Sequence, residues 1–227
     1  MDFHSHIRYR AVKKVLSPSF RNVEIGAGSG VMSYHFILNF KRPILVLTYT
    51  IDEYNEALSI IKEVDWLKNY VILGRRDAQN LKSLPNNYFD QVLLIDVLEH
   101  VKNDDKAVKE IYRILKSKGR VIVSVPTPYY PHYFTPEFDQ KIGHLRHYTP
   151  NRIRSLFEMN GFKTVSVVPH TSSLSGALSH IWYGKLKNTS ALKMIIMPII
   201  ITLSLLTEKI HSPYYCGLIA VFEKFYI

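Results

Sequence analysis

Cysteine is almost missing from this chain: Cys216 is the single one in 227 residues. That excludes an internal disulfide framework and a multi-cysteine zinc site, and it fits a reducing cytosol. Acidic side chains are scarce as well, 19 Asp and Glu against 29 Lys and Arg, which leaves a formal charge of +10. Such an excess favours contact with phosphate groups, either of nucleic acid or of anionic lipid. Near Met1 there is no apolar run of signal-peptide length, so secretion is not expected and a cytoplasmic location is. Internal repeats and low-complexity linkers are also absent, so a single domain over 1–227 is the expectation. Composition is otherwise that of an ordinary globular protein, with 47% hydrophobic and 21% charged residues.

The most informative stretch present is Val23-Glu24-Ile25-Gly26-Ala27-Gly28-Ser29-Gly30, a short apolar run followed by three alternate glycines. Alternate glycines after a strand let the backbone turn tightly and approach a ligand closely, and a following helix offers free N–H groups. Beyond them, β-branched runs at Ile44 to Thr50, Tyr70 to Leu73, Gln91 to Ile95 and Arg120 to Val125 alternate with stretches of helical period. This pattern predicts an α/β, doubly wound fold over a mostly parallel sheet. Ala57, Ile60, Ile61 and Val64 form one apolar stripe. Asn103 is a predicted cap of a helix with Asp104 and Asp105 in its first turn, Lys116 and Lys118 in its last, and Gly119 as its stop.

Residues 126–148 lose periodicity. Four prolines interrupt Tyr129, Tyr130, Tyr133 and Phe134, which predicts a long aromatic loop at the carboxyl end of the fifth strand, a place for a substrate lid. Thr149-Pro150 then starts a helix and Asn160-Gly161 ends it. Met194 to Leu206 is nearly pure hydrocarbon. At 1.5 Å per residue it reaches ~20 Å against a bilayer core of ~30 Å, too short to span comfortably. We read 172–212 as a helical apolar insertion before the last strand. It would meet a lipid-like acceptor or the inner face of an anionic membrane, form a homodimer interface, or fill an ordinary core.

Four stretches in order resemble the class I S-adenosylmethionine-dependent methyltransferases, over roughly residues 20 to 168. Glu24-Ile-Gly-Ala-Gly-Ser-Gly30 is similar to the first motif, Asp77-Ala78-Gln79-Asn80-Leu81 to the adenine-side motif, and Phe89-Asp90 through Asp96-Val-Leu-Glu99-His100-Val101 to the fourth. Arg113 through Pro126 resembles the helix and strand that follow. The resemblance implies a Rossmann-like, mostly parallel seven-stranded sheet with helices on both faces, and S-adenosylmethionine as cofactor, with Glu24, Gly26, Gly28, Gly30, Asp77, Ala78 and Asp96 binding it. Where the family places an acid for the ribose hydroxyls, this sequence has Thr48, which can make one such bond but not a bidentate pair. Either Thr48 serves there or Asp52 or Glu53 reaches in. A dinucleotide dehydrogenase is disfavoured, because Val31 and Ser33 break its glycine pattern.

Methyl transfer from a sulfonium is an in-line displacement, so an enzyme positions the acceptor and, for an oxygen, removes its proton. Candidate bases are His100, His144 and His147, the last two within Gly143-His-Leu-Arg-His-Tyr-Thr149. Arg146 is the candidate for an acidic or phosphate group on the substrate, and Tyr148 a second substrate contact. Asp96, Glu99 and His100 also resemble the metal motif of quinone-precursor and small-RNA 2′-O-methyltransferases, so a divalent metal is an alternative, though not the expectation. The third alternative is that Leu98 to Val101 is a structural turn. The expected activity is methyl transfer to a hydroxyl of a lipid-like, quinone-type or glycan-lipid acceptor. An RNA 2′-O-methyltransferase and a non-enzymatic cofactor-binding scaffold are the other readings.

Overall fold

Seven strands of 4 to 12 residues make one mixed sheet, with a packed layer on each face. The structure, a computed structural model, describes residues 3–130, 135–172, 175–176, 199, 202–203 and 214–225. In chain order the elements are α1 (Phe3–Lys13), β1 (Asn22–Ile25), α2 (Val31–Phe40), β2 (Ile44–Thr48), α3 (Ile51–Glu63) and a 3₁₀ turn (Asp65–Asn69). They continue with β3 (Val71–Arg75), β4 (Phe89–Ile95), α4 (Asp104–Ile114), β5 (Leu115–Pro126), α5 (Pro136–Lys141), α6 (Pro150–Glu158), β6 (Phe162–Ser172) and β7 (Tyr215–Lys224).

Sheet order is β3-β2-β1-β4-β5-β7-β6, with β1 to β5 parallel and β7 running antiparallel between β5 and β6. The chain leaves β1 toward β2 and β3 and then returns to place β4 on the other side of β1. Open α/β sheets bind ligands at such a reversal, beyond the carboxyl ends of the strands. Both faces are covered, so the central strands are apolar throughout rather than alternating. Val23, Ile25, Leu94, Val123 and Phe222 pack on one side with α4 and α6, while Leu93, Ile122 and Ile219 pack on the other with Val12 of α1 and Phe36 of α2. Phe157 stacks on Phe222 with centroids 4.1 Å apart.

Capping follows the residues closely. Thr50 and Glu53 form a reciprocal capping box on α3, Asn103 accepts from the Lys106 N–H at 2.8 Å, and Thr149 caps α6 ahead of Pro150. The α4 boundary differs from the expectation. The helix ends at Ile114, and Lys116 and Lys118 lie in β5. Leu115 pairs with Phe89, and Lys116 Nζ reaches Asp90 Oδ1 at 2.6 Å, so sheet registry captures residues that local charge pattern assigned to the helix.

Two elements lack a sequence-level counterpart. The first is α1, anchored by fully buried Val12 and by Tyr9, which stacks on His35 at 4.0 Å and accepts from Asn39. The second is α5, a short helix inside the predicted aromatic loop, capped by Thr135. The predicted insertion at 172–212 lies almost wholly outside the described residues. Of its hydrocarbon run, Ile199, Thr202 and Leu203 are described, and all three are exposed. Among the described residues no helix is long and apolar enough to cross a membrane.

Candidate functional site

The turn after β1 is closed by backbone bonds, from the Ala27 N–H to Leu47 O at 3.0 Å and from the Gly30 N–H to Ala27 O at 2.8 Å. Gly26 has φ +69°, and a Cβ there would lie 2.6 Å from Val97 Cγ2, so no other residue fits without moving β4's exit. At Gly28, φ is +53° and a Cβ would meet nothing within 4 Å. One glycine is therefore closed in by packing and the other faces open space.

That space is a cavity of about 630 Å³ at the carboxyl ends of β1, β2, β3 and β4. It brings together Gly26, Gly28, Glu53, Asp77, Ala78, Asp96 and His100 of the residues expected to form the site, leaves out Asp52, and adds Tyr49 and Gln79. Gly30 instead caps α2 and lines a separate, largely apolar cavity between α2 and α3. Asp77 is held by Gln79, whose backbone N–H donates to Oδ1 at 2.8 Å, and Gln79 Oε1 in turn accepts from the Asn103 N–H at 3.0 Å.

Thr48 does not line the cavity, which corrects its assignment to the ribose. It is fully buried, with its hydroxyl 3.5 Å from the Gly74 carbonyl. Glu53 is the acid on that side. Its Oε2 accepts from the Tyr49 and Thr50 N–H groups at 2.9 and 3.0 Å, and a carboxylate has roughly four acceptor positions, so capacity remains for hydroxyl donors. Glu24 lies beneath the glycine turn, buried, accepting from the Ser33 hydroxyl. Desolvation pushes its pKa up to about 7, against which Ser33 and Arg8 pull down.

Because its folded value exceeds that of the unfolded chain, the contribution of this carboxyl to stability is fully present below pH ~4.5 and is lost as pH rises through 7. Denaturant unfolding of wild type should therefore show a loss of about 2 kcal/mol from pH 5 to 8 attributable to this carboxyl, at ~1.4 kcal/mol per pKa unit. Glu24→Gln should remove that part of the slope; an unchanged slope would contradict it.

Asp96 follows β4 with φ +53°, a left-handed conformation that aspartate and asparagine adopt more readily than other side chains. Its Oδ1 accepts from the Ser124 hydroxyl at 2.5 Å, and its Oδ2 pairs with the Arg8 guanidinium from α1. His100 also lines the cavity, with Nδ1 3.1 Å from the Gly143 carbonyl. A carbonyl only accepts, so Nδ1 carries the proton and Nε2 is left as the basic nitrogen.

Behind His100 lies a cluster that the cavity does not reach directly. His144 Nδ1 is 2.5 Å from Asp139 Oδ1, His147 Nε2 is 3.1 Å from the same oxygen, and the His100 and His144 rings are 4.9 Å apart. Burial lowers the His144 pKa despite Asp139. Glu99 is fully buried, neither of its oxygens has a hydrogen-bond partner among the described residues, and desolvation pushes it up to about 8. Its Oε1 is 3.9 Å from His144 Nε2. Glu99, His100 and His144 offer ligand atoms within 4.8 Å of one another, as do Asp139, His144 and His147. Either group could hold a divalent ion. Asp96 belongs to neither, since its oxygens are taken by Ser124 and Arg8. Sequence reasoning missed Asp139 and Arg8, which carry no motif and reach the site through α5 and α1.

Arg146 and Tyr148 are corrected from substrate contacts to positioning residues. The Arg146 guanidinium donates to the carbonyls of Leu98, Val101 and Lys102, and the buried Tyr148 hydroxyl donates to Asp104 Oδ2 at 2.8 Å. Together they hold the turn that carries Glu99 and His100.

Residues 5–167 match the family described as a methyltransferase domain. Over 103 residues the chain is 43% identical to an uncharacterised protein of Methanocaldococcus jannaschii, covering 44% of this chain and 42% of that one. Over 113 residues it is 28% identical to the ubiquinone/menaquinone biosynthesis C-methyltransferase UbiE of Vibrio cholerae, covering 47% of this chain and 41% of that one. The chain thus matches about two fifths of the length of these relatives. Among solved structures it is similar to the [4+2]-cyclase SpnF, with a TM-score of 0.71 and 17% identity over 96% of this chain and 80% of that one. It is also similar to phosphoethanolamine N-methyltransferase 2 of Haemonchus contortus bound to S-adenosyl-L-methionine, with a TM-score of 0.69 and 18% identity over 96% of this chain and 52% of that one. At these identities the structural likenesses establish the fold.

Proposed function

The chain belongs to the methyltransferase-domain family, and from that premise we propose that it transfers the methyl group of S-adenosylmethionine to a hydroxyl oxygen of a lipid-like acceptor, quinone-type or glycan-lipid. The observation that carries this reading is the cavity beyond β1 and β4, which joins an open glycine turn, a carboxylate at Asp77 and a histidine with a free basic nitrogen. S-Adenosylmethionine, when bound, supplies an electrophilic methyl on a cationic sulfur. The residues fit it: Gly28 leaves room for close backbone approach, Asp77 with Ala78 would take the adenine side, and Glu53 would take the ribose hydroxyls.

The protein's own contribution is positioning and proton removal. His100 Nε2 would accept the acceptor's hydroxyl proton, with Nδ1–H anchored on Gly143 O so that the ring cannot turn away. Deprotonating a phenolic hydroxyl also activates the neighbouring ring carbon, so the same base would serve a carbon acceptor such as the name of the Vibrio relative implies. The exposed Ile199 and Leu203, within the hydrocarbon run, support an apolar acceptor or a peripheral contact with an anionic membrane. A metal-assisted variant is favoured by one observation, the buried carboxylate of Glu99, without a hydrogen-bond partner among the described residues, beside His100 and His144. There a divalent ion would lower the acceptor's pKa in place of a base.

Incubation with methyl-labelled cofactor and total cell extract, then partition into lipid, nucleic-acid and protein fractions, tests the acceptor class. Label is expected in the lipid fraction. Label confined to RNA would replace this reading with the 2′-O-methyltransferase one, and full activity after chelation would reject the metal variant.

A further inference from the structure

Asp77, Ala78 and Glu53 suit the adenine and ribose of the cofactor, and at the other end of the same cavity α1 brings Arg8 to Asp96. Asp77 follows β3 and Asp96 follows β4, with β2 and β1 between them. At ~4.8 Å per strand that separation is roughly 14 Å, on the scale of an extended adenosyl amino acid. With the adenine end at Asp77, the amino-acid head falls at Asp96. There the Asp96 carboxylate is paired with the Arg8 guanidinium, and the buried carboxyls of Glu24 and Glu99 also feel the Arg8 charge. The Arg8–Asp96 pair is thus the charged contact at this end of the cavity, with the carboxyls of Glu24 and Glu99 close behind it.

We infer that Arg8 and Asp96 form the receptor for the α-amino-acid head of the cofactor, the guanidinium taking the carboxylate and the acidic side taking the ammonium. This rests on the cofactor reading above. An ion pair at a cavity wall is the charge complement of a zwitterion: each partner exchanges the other for the opposite end of the ligand, and no charge is left uncompensated. The planar guanidinium fork suits a carboxylate. Arg8 is well placed to hold it, because Ile7 and Val12 on either side are buried and Tyr9 is stacked on His35. The N-terminal helix is therefore part of the binding site and not an appendage to the sheet.

The test compares two ligands that differ at this group alone, S-adenosylhomocysteine and its decarboxylated counterpart, by calorimetric titration of the full chain. A charge-assisted pair of this kind is worth about 10- to 100-fold in affinity, so wild type should prefer the carboxylated ligand by that factor. Arg8→Met should bring the two affinities within about threefold while leaving that for the decarboxylated ligand close to wild type, and Arg8→Lys should keep part of the preference. Arg8→Met with the wild-type preference intact overturns the inference, and so does equal loss of both ligands, which would mark Arg8 as structural. Wild type that prefers neither ligand overturns it too. Wild type that binds neither ligand contradicts the cofactor reading itself and the inference with it.

Discussion

Gly26→Val is expected to weaken S-adenosylmethionine binding by at least about 100-fold and to destabilise the fold by roughly 2–4 kcal/mol, since two separate penalties meet at one atom. The backbone there has φ +69°, which a β-branched residue adopts only under strain, and the first side-chain carbon would already stand 2.6 Å from Val97 Cγ2. Val97 is part of the core and adjoins Asp96, so relief by shifting it would drag the cavity wall. Relief by shifting the turn would push the turn into the cavity. Gly28→Ala separates these effects. Its Cβ meets nothing within 4 Å, so the stability loss should be near the roughly 1 kcal/mol of a left-handed alanine while binding still falls, because the added methyl stands where the ligand approaches. Equilibrium binding and denaturant unfolding on both variants check this; equal binding losses in proportion to stability would contradict it.

His100→Ala is expected to reduce methyl transfer by about 10²- to 10⁴-fold with cofactor affinity nearly unchanged, as for removal of a general base. His100 lines the cavity, and its one hydrogen bond fixes the ring without occupying Nε2. His144→Ala should cost less, since His144 does not line the cavity and acts through ring contact with His100 and its bond to Asp139. His147→Ala should cost least, because its Nε2 shares an Asp139 oxygen that His144 already holds at closer range. Single-turnover rates at saturating cofactor, with the labelled lipid fraction as acceptor, give the ranking. Unchanged rates in all three variants would remove the histidines from the chemistry.

Much of the fold was legible because its signals are local. Alternating β-branched runs, the Asn103 and Thr149 caps and the glycine turn each act within a few residues, and all reappear in the structure. The α4 boundary was not legible, because strand pairing of Leu115 with Phe89 outweighs the charge pattern of Lys116 and Lys118. At the site, Gly26, Gly28, Asp77, Ala78 and Asp96 converge on one cavity because the parallel sheet brings strand ends together.

The residues misjudged are those whose side-chain direction depends on long-range packing. Thr48 turns inward to Gly74, and Arg146 and Tyr148 turn back onto the Leu98 to Lys102 turn and Asp104. Glu53 displaces Thr48 as the ribose candidate because the capping box of α3 brings its carboxylate to the cavity edge. Arg8 and Asp139 could not be found at all, since only the tertiary packing of α1 and α5 brings them to Asp96 and His144.

The central claim is that the cavity beyond β1, β3 and β4 holds S-adenosylmethionine with its adenine side at Asp77. Equilibrium dialysis of labelled cofactor against wild type and Asp77→Ala tests it most directly. Wild type should bind one equivalent saturably, and loss of a carboxylate hydrogen bond should weaken that by about 10- to 100-fold in Asp77→Ala. Absence of binding at near-millimolar cofactor, or equal affinity in the two proteins, would contradict the account.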